Sequence, residues 1–179
     1  MTPADTGVLV LVLTTAAAVA ASTALALRSP AARPIFAPAS LVLLVATLLV
    51  LGSSPTTLDT AGTTILLAAA GVAAVAGGGP LTVLLLGLVD RDRPADAPAV
   101  TGTTVLRGGA WIGALERVAV LASIAAGWPE GVALALAVKG LGRYAELKEP
   151  GAAERFIIGT FASVLWAAAW GGVVLLART

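Results

Sequence analysis

The sequence predicts an all-α fold, a polytopic bundle of about six transmembrane helices (five to six) with both termini external. Three observations carry this expectation. Hydrophobic residues make up 58% of the 179-residue chain and charged residues 12%, and the mean hydropathy is +0.97, outside the range of a domain that must present a hydrated surface. Apolar runs long enough to cross a hydrocarbon core of about 30 Å recur along the chain. Basic residues collect in alternate connectors, the asymmetry that orients helices in a bilayer.

The first run, Thr6 to Leu27, is followed by Arg28 and Arg33 and has no basic residue ahead of it. A cleaved leader has the opposite arrangement, so the run reads as a retained span. Phe36 to Leu51 forms a second span between Pro34 and the Gly52-Ser53-Ser54-Pro55 stretch. From Thr60 to Val89 thirty residues carry no charge; as helix they would measure about 45 Å, more than one crossing needs. Gly77-Gly78-Gly79-Pro80 is expected to interrupt this run, either as a kink at Pro80 in one long helix or as the junction between a span and a short surface helix. Residues 1–89 thus make an N-terminal membrane region of about three spans. Residues 90–107, with Asp90, Arg91, Asp92, Arg93, Pro94, Asp96 and Pro98, read as a polar cytoplasmic loop. Residues 108–179 form a C-terminal membrane region of three elements: Gly108 to Trp128, Gly131 to about Ala145, and Phe156 to Leu176.

Six crossings would put Arg28, Arg33, Arg91, Arg93, Arg107, Arg143, Lys148 and Arg155 on one face, which is then cytoplasmic, and Asp5, Asp59, Glu130 and Arg178 on the other. The expected location is the cell (plasma) membrane, with multiple passes. A rival reading merges Val118 to Val138 into a single span and would move Arg143, Lys148 and Arg155 outside. A hairpin or re-entrant pair turning at Trp128-Pro129-Glu130 keeps them inside and is preferred.

The chain has no Cys and no His, which removes disulfides, thiol nucleophiles, imidazole bases and the usual zinc, copper and haem ligands. No metal site and no cofactor is expected. The few basic residues form no stripe interleaved with aromatics, so nucleic acid is not an expected partner. Gly77-Gly78-Gly79 and Gly171-Gly172 lack the Lys-Ser/Thr of a phosphate loop and read as helix breaks. No Gly-x-Ser-x-Gly or paired-carboxylate pattern lies in a span, and no enzymatic activity is expected.

Glu116 and Arg117 lie between apolar sequence on both sides, so they are expected within the membrane. A charge at a span centre costs roughly 2.5–3.5 kcal/mol on insertion scales and needs a partner. Neighbouring helical residues point about 100° apart and cannot pair well. With a turn centred near Pro129, the residue at the depth of Glu116 on the returning helix is Gly142, beside Arg143, so Glu116 and Arg143 are expected to face each other. Lys139, Arg143 and Glu146 follow at i, i+4 and i+7 and would extend this into a seam, with Tyr144 beside it. The seam is either mutual satisfaction that packs the hairpin, or a proton relay or basic recess for an anionic lipid head group or phosphate. Arg117, Lys139, Arg143 and Tyr144 would hold Glu116 ionised, which favours anion handling over proton coupling. Trp111, Trp128, Trp166 and Trp170 read as belt or packing residues, and Gly159 with Ser163 as a small-xxx-small contact.

Gly109-Ala110-Trp111-Ile112-Gly113-Ala114-Leu115-Glu116-Arg117, Lys139-Gly140-Leu141-Gly142-Arg143-Tyr144 and Glu154-Arg155-Phe156-Ile157-Ile158-Gly159-Thr160 occur in an order that resembles a family of small bacterial membrane proteins known as a domain of unknown function. Gly140 and Tyr144 stand where that family has Ser and Phe, and Arg155 stands where it has Tyr. The likeness covers about residues 108–170. It implies that Glu116, Arg117, Lys139, Arg143, Glu154, Gly159 and Thr160, with the adjacent Arg155, belong to one unit, and it implies no activity. The leading expectation is a non-enzymatic membrane subunit or accessory factor. Its partners would be the bilayer, anionic lipid head groups, and a partner membrane protein or a second copy. A small transporter or channel for an anion or protons is the alternative, and a membrane enzyme acting on an anionic lipid is a weaker one.

Overall fold

A computed structural model describes residues 2–27, 33–91, 109–144, 146–148 and 152–178. All regular structure among them is helical: α1 (Pro3–Ala26), α2 (Arg33–Ser53), α3 (Thr60–Arg91), α4 (Gly109–Ala125), α5 (Glu130–Gly142), a 3-10 turn (Glu146–Lys148) and α6 (Ala152–Leu176). Among the described residues four helices are long and apolar enough to cross a membrane: α1, α2 from Ile35 onward, α3 and α6. The other two, of 17 and 13 residues, measure about 25 and 20 Å and fall short of a hydrocarbon core of about 30 Å. The charged hairpin is therefore the short part of an otherwise long-helix bundle.

Local chemistry sets the helix starts. Thr2 and Asp5 form a reciprocal capping box around Pro3, in which the Asp5 N–H donates to Thr2 Oγ1 at 3.2 Å and the Thr2 N–H donates to Asp5 Oδ2 at 2.8 Å. Asp59 accepts from the Gly62 N–H at 2.7 Å and caps α3. The Thr57 N–H donates to the Pro3 carbonyl at 3.2 Å and brings the start of α3 beside that of α1. α3 touches α1, α2, α4 and α6 and so runs as the axle of the bundle. Its buried Leu66, Ala70, Ala73 and Ala74 meet Val10 and Ala17 of α1 and Trp166, Trp170 and Val173 of α6. Small side chains on α1 and α3 let the backbones approach closely, the main source of helix association where lipid replaces water.

α3 is continuous through Gly77-Gly78-Gly79-Pro80, so the interruption expected there does not occur and the run is one long helix. Gly77 and Gly78 instead make room for neighbours. A Cβ on Gly77 would lie 2.6 Å from Trp166 Cζ2, and one on Gly78 would collide with Arg117 Cδ. The Gly171-Gly172 pair likewise lies inside α6, where a Cβ on Gly171 would be 2.8 Å from Ile124 Cγ2. α3 also runs on to Arg91, which places Asp90 and Arg91 in its last turn rather than in a loop. The rest of the expected polar connector, 92–107, lies outside the described residues, as do Arg28 and the side chain of Arg33.

The expected hairpin is present, and the single span from Val118 to Val138 is not. α4 closes in a Schellman motif: the Trp128 N–H donates to the Ser123 carbonyl at 2.8 Å, the Gly127 N–H donates to Ile124 at 3.0 Å, and Gly127 has φ +70°. Pro129 then bars further helix in the same direction and α5 starts at Glu130. Gly131 lets the returning chain pass, since a Cβ there would lie 2.8 Å from Trp128 Cε3. An L side chain in the left-handed region costs about 1–2 kcal/mol. Gly127→Ala is expected to lower the stability of the purified protein by about that amount. Gly52→Ala, where nothing lies within 4 Å, should be neutral or slightly stabilising. Thermal unfolding of both variants in one detergent checks the contrast.

Candidate functional site

Arg117 is the most deeply placed charge, with 7% of its surface exposed. It lies eight residues into α4, about 12 Å from the helix start, and points toward α3 and α6. Its Nε donates to the Val75 carbonyl at 3.1 Å and its Nη1 donates to Ser163 Oγ at 3.2 Å. Trp166, one turn beyond Ser163, donates from Nε1 to both the Ala73 and Ala74 carbonyls at 3.1 Å. Pro80 removes the N–H that would serve the Ala76 carbonyl, and in the turn before it three successive carbonyls accept from side chains of other helices. Glycine at 77 and 78 provides the clearance for both donors.

Glu116 faces the other way, as the 100° step between consecutive helical residues requires. Its Oε2 accepts from Lys139 Nζ at 2.5 Å, with both side chains about 15% exposed. The expected Glu116–Arg143 pairing is thus replaced by Glu116–Lys139, and the cause is register. The hairpin closes between Ala125 and Glu130, and nine residues back along α4 lies level with nine residues forward along α5, which is Lys139. Lys139 Nζ also sits 5.6 Å from the Phe156 ring centroid, in cation–π range.

α5 ends at Gly142 with Arg143 as its C-cap, so Lys139, Arg143 and Glu146 do not form one helical stripe. Glu146 belongs to the 3-10 turn. Arg143 reaches back toward the start of α4, its Nη2 3.9 Å from where a Cβ on Gly109 would be. Tyr144 stands outside the seam, 65% exposed, with Lys148 Nζ 5.1 Å from its ring centroid. Arg155 donates from Nη1 to Asp90 Oδ1 at 2.5 Å and ties the end of α3 to the start of α6. Both partners are more than a third exposed, so this clasp adds at most about 1 kcal/mol.

These side chains surround one recess of about 770 Å³ where the ends of α1 and α5 and the middle of α3 meet the starts of α4 and α6. Arg117, Lys139, Arg143 and Arg155 line it, with Glu116 the one lining carboxylate. Counting Asp90 at the rim, four cations meet two carboxylates among the described residues. Gly159, Thr160 and Ser163 of α6 form the opposite wall. Gly159 packs toward Thr82, and Ser163, expected only as a packing residue, is an acceptor for Arg117. Two buried polar atoms of the lining residues, Thr160 Oγ1 and Glu116 Oε1, have no hydrogen-bond partner. Buried polar groups are nearly always paired, so the recess is built for contents that both donate and accept. Glu154, expected beside this unit, does not line it.

Asp90, expected in the loop, and Ser163, expected as a packing residue, are the site neighbours whose contacts the sequence does not reveal, because neither is unusual by itself. The signal that could have found Ser163 is the glycine run opposite it, which leaves space for a long side chain from another helix. Trp166 and Trp170 pack edge to face with centroids 5.9 Å apart, while Trp111 and Trp128 are exposed at the two ends of α4. Among the described residues there is no cluster of three or more potential metal ligands.

The fold and site define an all-helical protein with several helices suited to a membrane. Compared with known proteins, the chain matches no family model, no curated protein and no solved structure.

Removing one partner of a buried ion pair leaves an uncompensated charge, whereas removing both leaves none. Glu116→Gln and Lys139→Gln should each lower stability by about 1–3 kcal/mol, and the double variant should recover at least half of the summed loss. A double-mutant cycle by thermal unfolding in detergent measures the coupling; additive losses would mean that the two charges act independently.

Proposed function

We propose that the chain is a non-enzymatic, multi-pass protein of the cell membrane whose basic recess binds a phosphate-type anion that also carries hydroxyl donors. The observation that carries this reading is the lining of the recess. Among the described residues, Arg117, Lys139, Arg143 and Arg155 outnumber the carboxylates Glu116 and Asp90, and guanidinium and ammonium groups are the natural partners of phosphate oxygens. The unpartnered Thr160 hydroxyl and Glu116 Oε1 add a donor and an acceptor, which suits a phosphate ester bearing hydroxyls better than a bare halide.

The recess end of the bundle is the cytoplasmic end in this reading, with both termini external. Arg91, Arg143, Lys148 and Arg155 belong to helix ends on that side, while Asp5, Asp59 and Glu130 belong to the other, in keeping with the positive-inside bias. α4 and α5 then form a hairpin that enters from the cytoplasmic side and turns toward the external one. The segment that resembles the family of unknown function contributes Glu116, Arg117, Lys139, Arg143, Gly159 and Thr160 to the recess, which gives that resemblance a shared purpose. The role that fits is an accessory factor holding a phosphate compound at the cytoplasmic surface.

The test is thermal unfolding in a neutral detergent with glycerol phosphate, inorganic phosphate and chloride at matched ionic strength. Glycerol phosphate at about 100 times its Kd should raise stability by about 2.7 kcal/mol, with inorganic phosphate weaker and chloride inactive. Arg143→Gln should remove most of the effect. Absence of stabilisation in the unaltered protein overturns the reading, and hydrolysis of the glycerol phosphate during incubation would make it an enzyme instead.

A further inference from the structure

We infer that the occupant of the recess is an anionic membrane lipid, with its phosphate in the basic recess and an acyl chain in the apolar groove between α3 and α4. This rests on the reading of the recess as a phosphate site and names the source of the phosphate. A second cavity, of about 620 Å³, is lined entirely by apolar residues. On α3 its wall is Leu67, Gly71 and Val75, spaced i, i+4 and i+8; on α4 it is Val118, Leu121 and Ala125, spaced i, i+3 and i+7. Each set occupies one face of its helix.

The groove and the recess adjoin. Leu25 of α1 and Val75 and Ala76 of α3 line both, and Arg117, on the recess side, is followed directly by Val118, on the groove side. From Val75 to Leu67 the groove extends along eight residues of helix, about 12 Å, close to the depth of one leaflet of a hydrocarbon core of about 30 Å. Gly71 deepens it, since a Cβ there would meet only Leu121 Cδ2, at 3.7 Å. A cation-lined chamber beside an apolar groove is complementary to a molecule with a phosphate at one end and a hydrocarbon chain at the other. A soluble phosphate would leave the groove without purpose. An uncharged lipid would bring no anion to the four cations of the recess.

The experiment uses the full chain in neutral detergent with two probes, long-chain phosphatidylglycerol and soluble glycerol phosphate, read by thermal unfolding across a concentration series. Gly71→Leu and Ala122→Phe fill the groove at a distance from the charged recess. Both should weaken phosphatidylglycerol about tenfold while leaving glycerol phosphate within about twofold. Equal potency of phosphatidylglycerol on the variants and the unaltered protein overturns the acyl-chain assignment but leaves the phosphate site standing. Failure of glycerol phosphate to act on the unaltered protein removes the phosphate site itself.

Should the filling variants not fold, phosphatidylglycerol carrying a photoactivatable diazirine on its acyl chain tests the unaltered protein directly. Labelling should concentrate on residues 67–76 and 118–125; labelling spread evenly over the outer faces of α1, α2 and α6 overturns the inference. Because the chain has no cysteine, Ala122→Cys reports on a competing occupant. Efficient disulfide-linked dimers in the membrane would assign the groove to a second copy and overturn the lipid.

Discussion

Everything polar in this bundle depends on how Arg117 is seated against α3. A guanidinium with 7% exposure in an apolar bundle is tolerable only if its donors are met, and the Val75 carbonyl and the Ser163 hydroxyl meet them from two different helices. The seat exists because α3 presents glycine at 77 and 78, so that the Arg117 stem and the Trp166 ring can lie against bare backbone. Seating Arg117 fixes the rotation of α4 about its own axis. Once that rotation is set, Glu116 turns away by about 100° and meets α5, where hairpin register supplies Lys139. One arginine thus orders three contacts: α4 on α3, α4 on α6, and through its neighbour α4 on α5.

The same geometry explains why the helix tolerates a Gly-Gly-Gly-Pro sequence in its interior. Glycine costs roughly 0.5–1 kcal/mol per residue relative to alanine in a helix, and proline about 3 kcal/mol or more. In a membrane those losses can be offset where neighbouring helices satisfy the loosened backbone. Here the added contacts come just before the carbonyl that Pro80 frees, where Trp166 and Arg117 donate to Ala73, Ala74 and Val75. Reading the glycines from sequence as a break assumed that their weakness would be expressed locally. Their tertiary partners lie 40 to 90 residues away, and no short window of sequence contains them.

Legibility follows the range of the interactions. Long apolar runs declare helices by themselves, so α1, α2 and α6 match their sequence boundaries to within a few residues. The turn at Trp128-Pro129-Glu130 was also visible from sequence, while the Schellman glycine Gly127 just before it emerges from the structure. The membership of the charged unit was legible because Glu116, Arg117, Lys139 and Arg143 are conspicuous in apolar surroundings. Their pairing was not. Placing the turn centre at Pro129 rather than between Ala125 and Glu130 shifts the facing residue from Lys139 by almost one helical turn, which is enough to name the wrong cation. Tyr144 was misplaced for a related reason: α5 ends at Gly142, so the helical spacing that would have carried Tyr144 along the seam no longer applies.

The contrast in helix length gives the recess its form. α3 and α6, of 32 and 25 residues, measure about 48 and 38 Å and extend beyond a hydrocarbon core of about 30 Å, so their ends can hold Asp90 and Arg155 where an exposed ion pair costs little. The hairpin helices are shorter than that core, and α5 delivers Lys139 and Arg143 from within it. The four cations therefore lie at graded depth, with Arg155 at the rim, Arg143 and Lys139 below it and Arg117 at the floor. A fully solvated cluster of this kind would be screened over about 8–10 Å. Apolar walls reduce that screening, and the deeper cations lie in a lower dielectric, where charge–charge interactions are stronger. The carboxylate of Glu116, paired with Lys139, tempers the positive charge of the lower recess, which keeps so many cations compatible with a folded bundle.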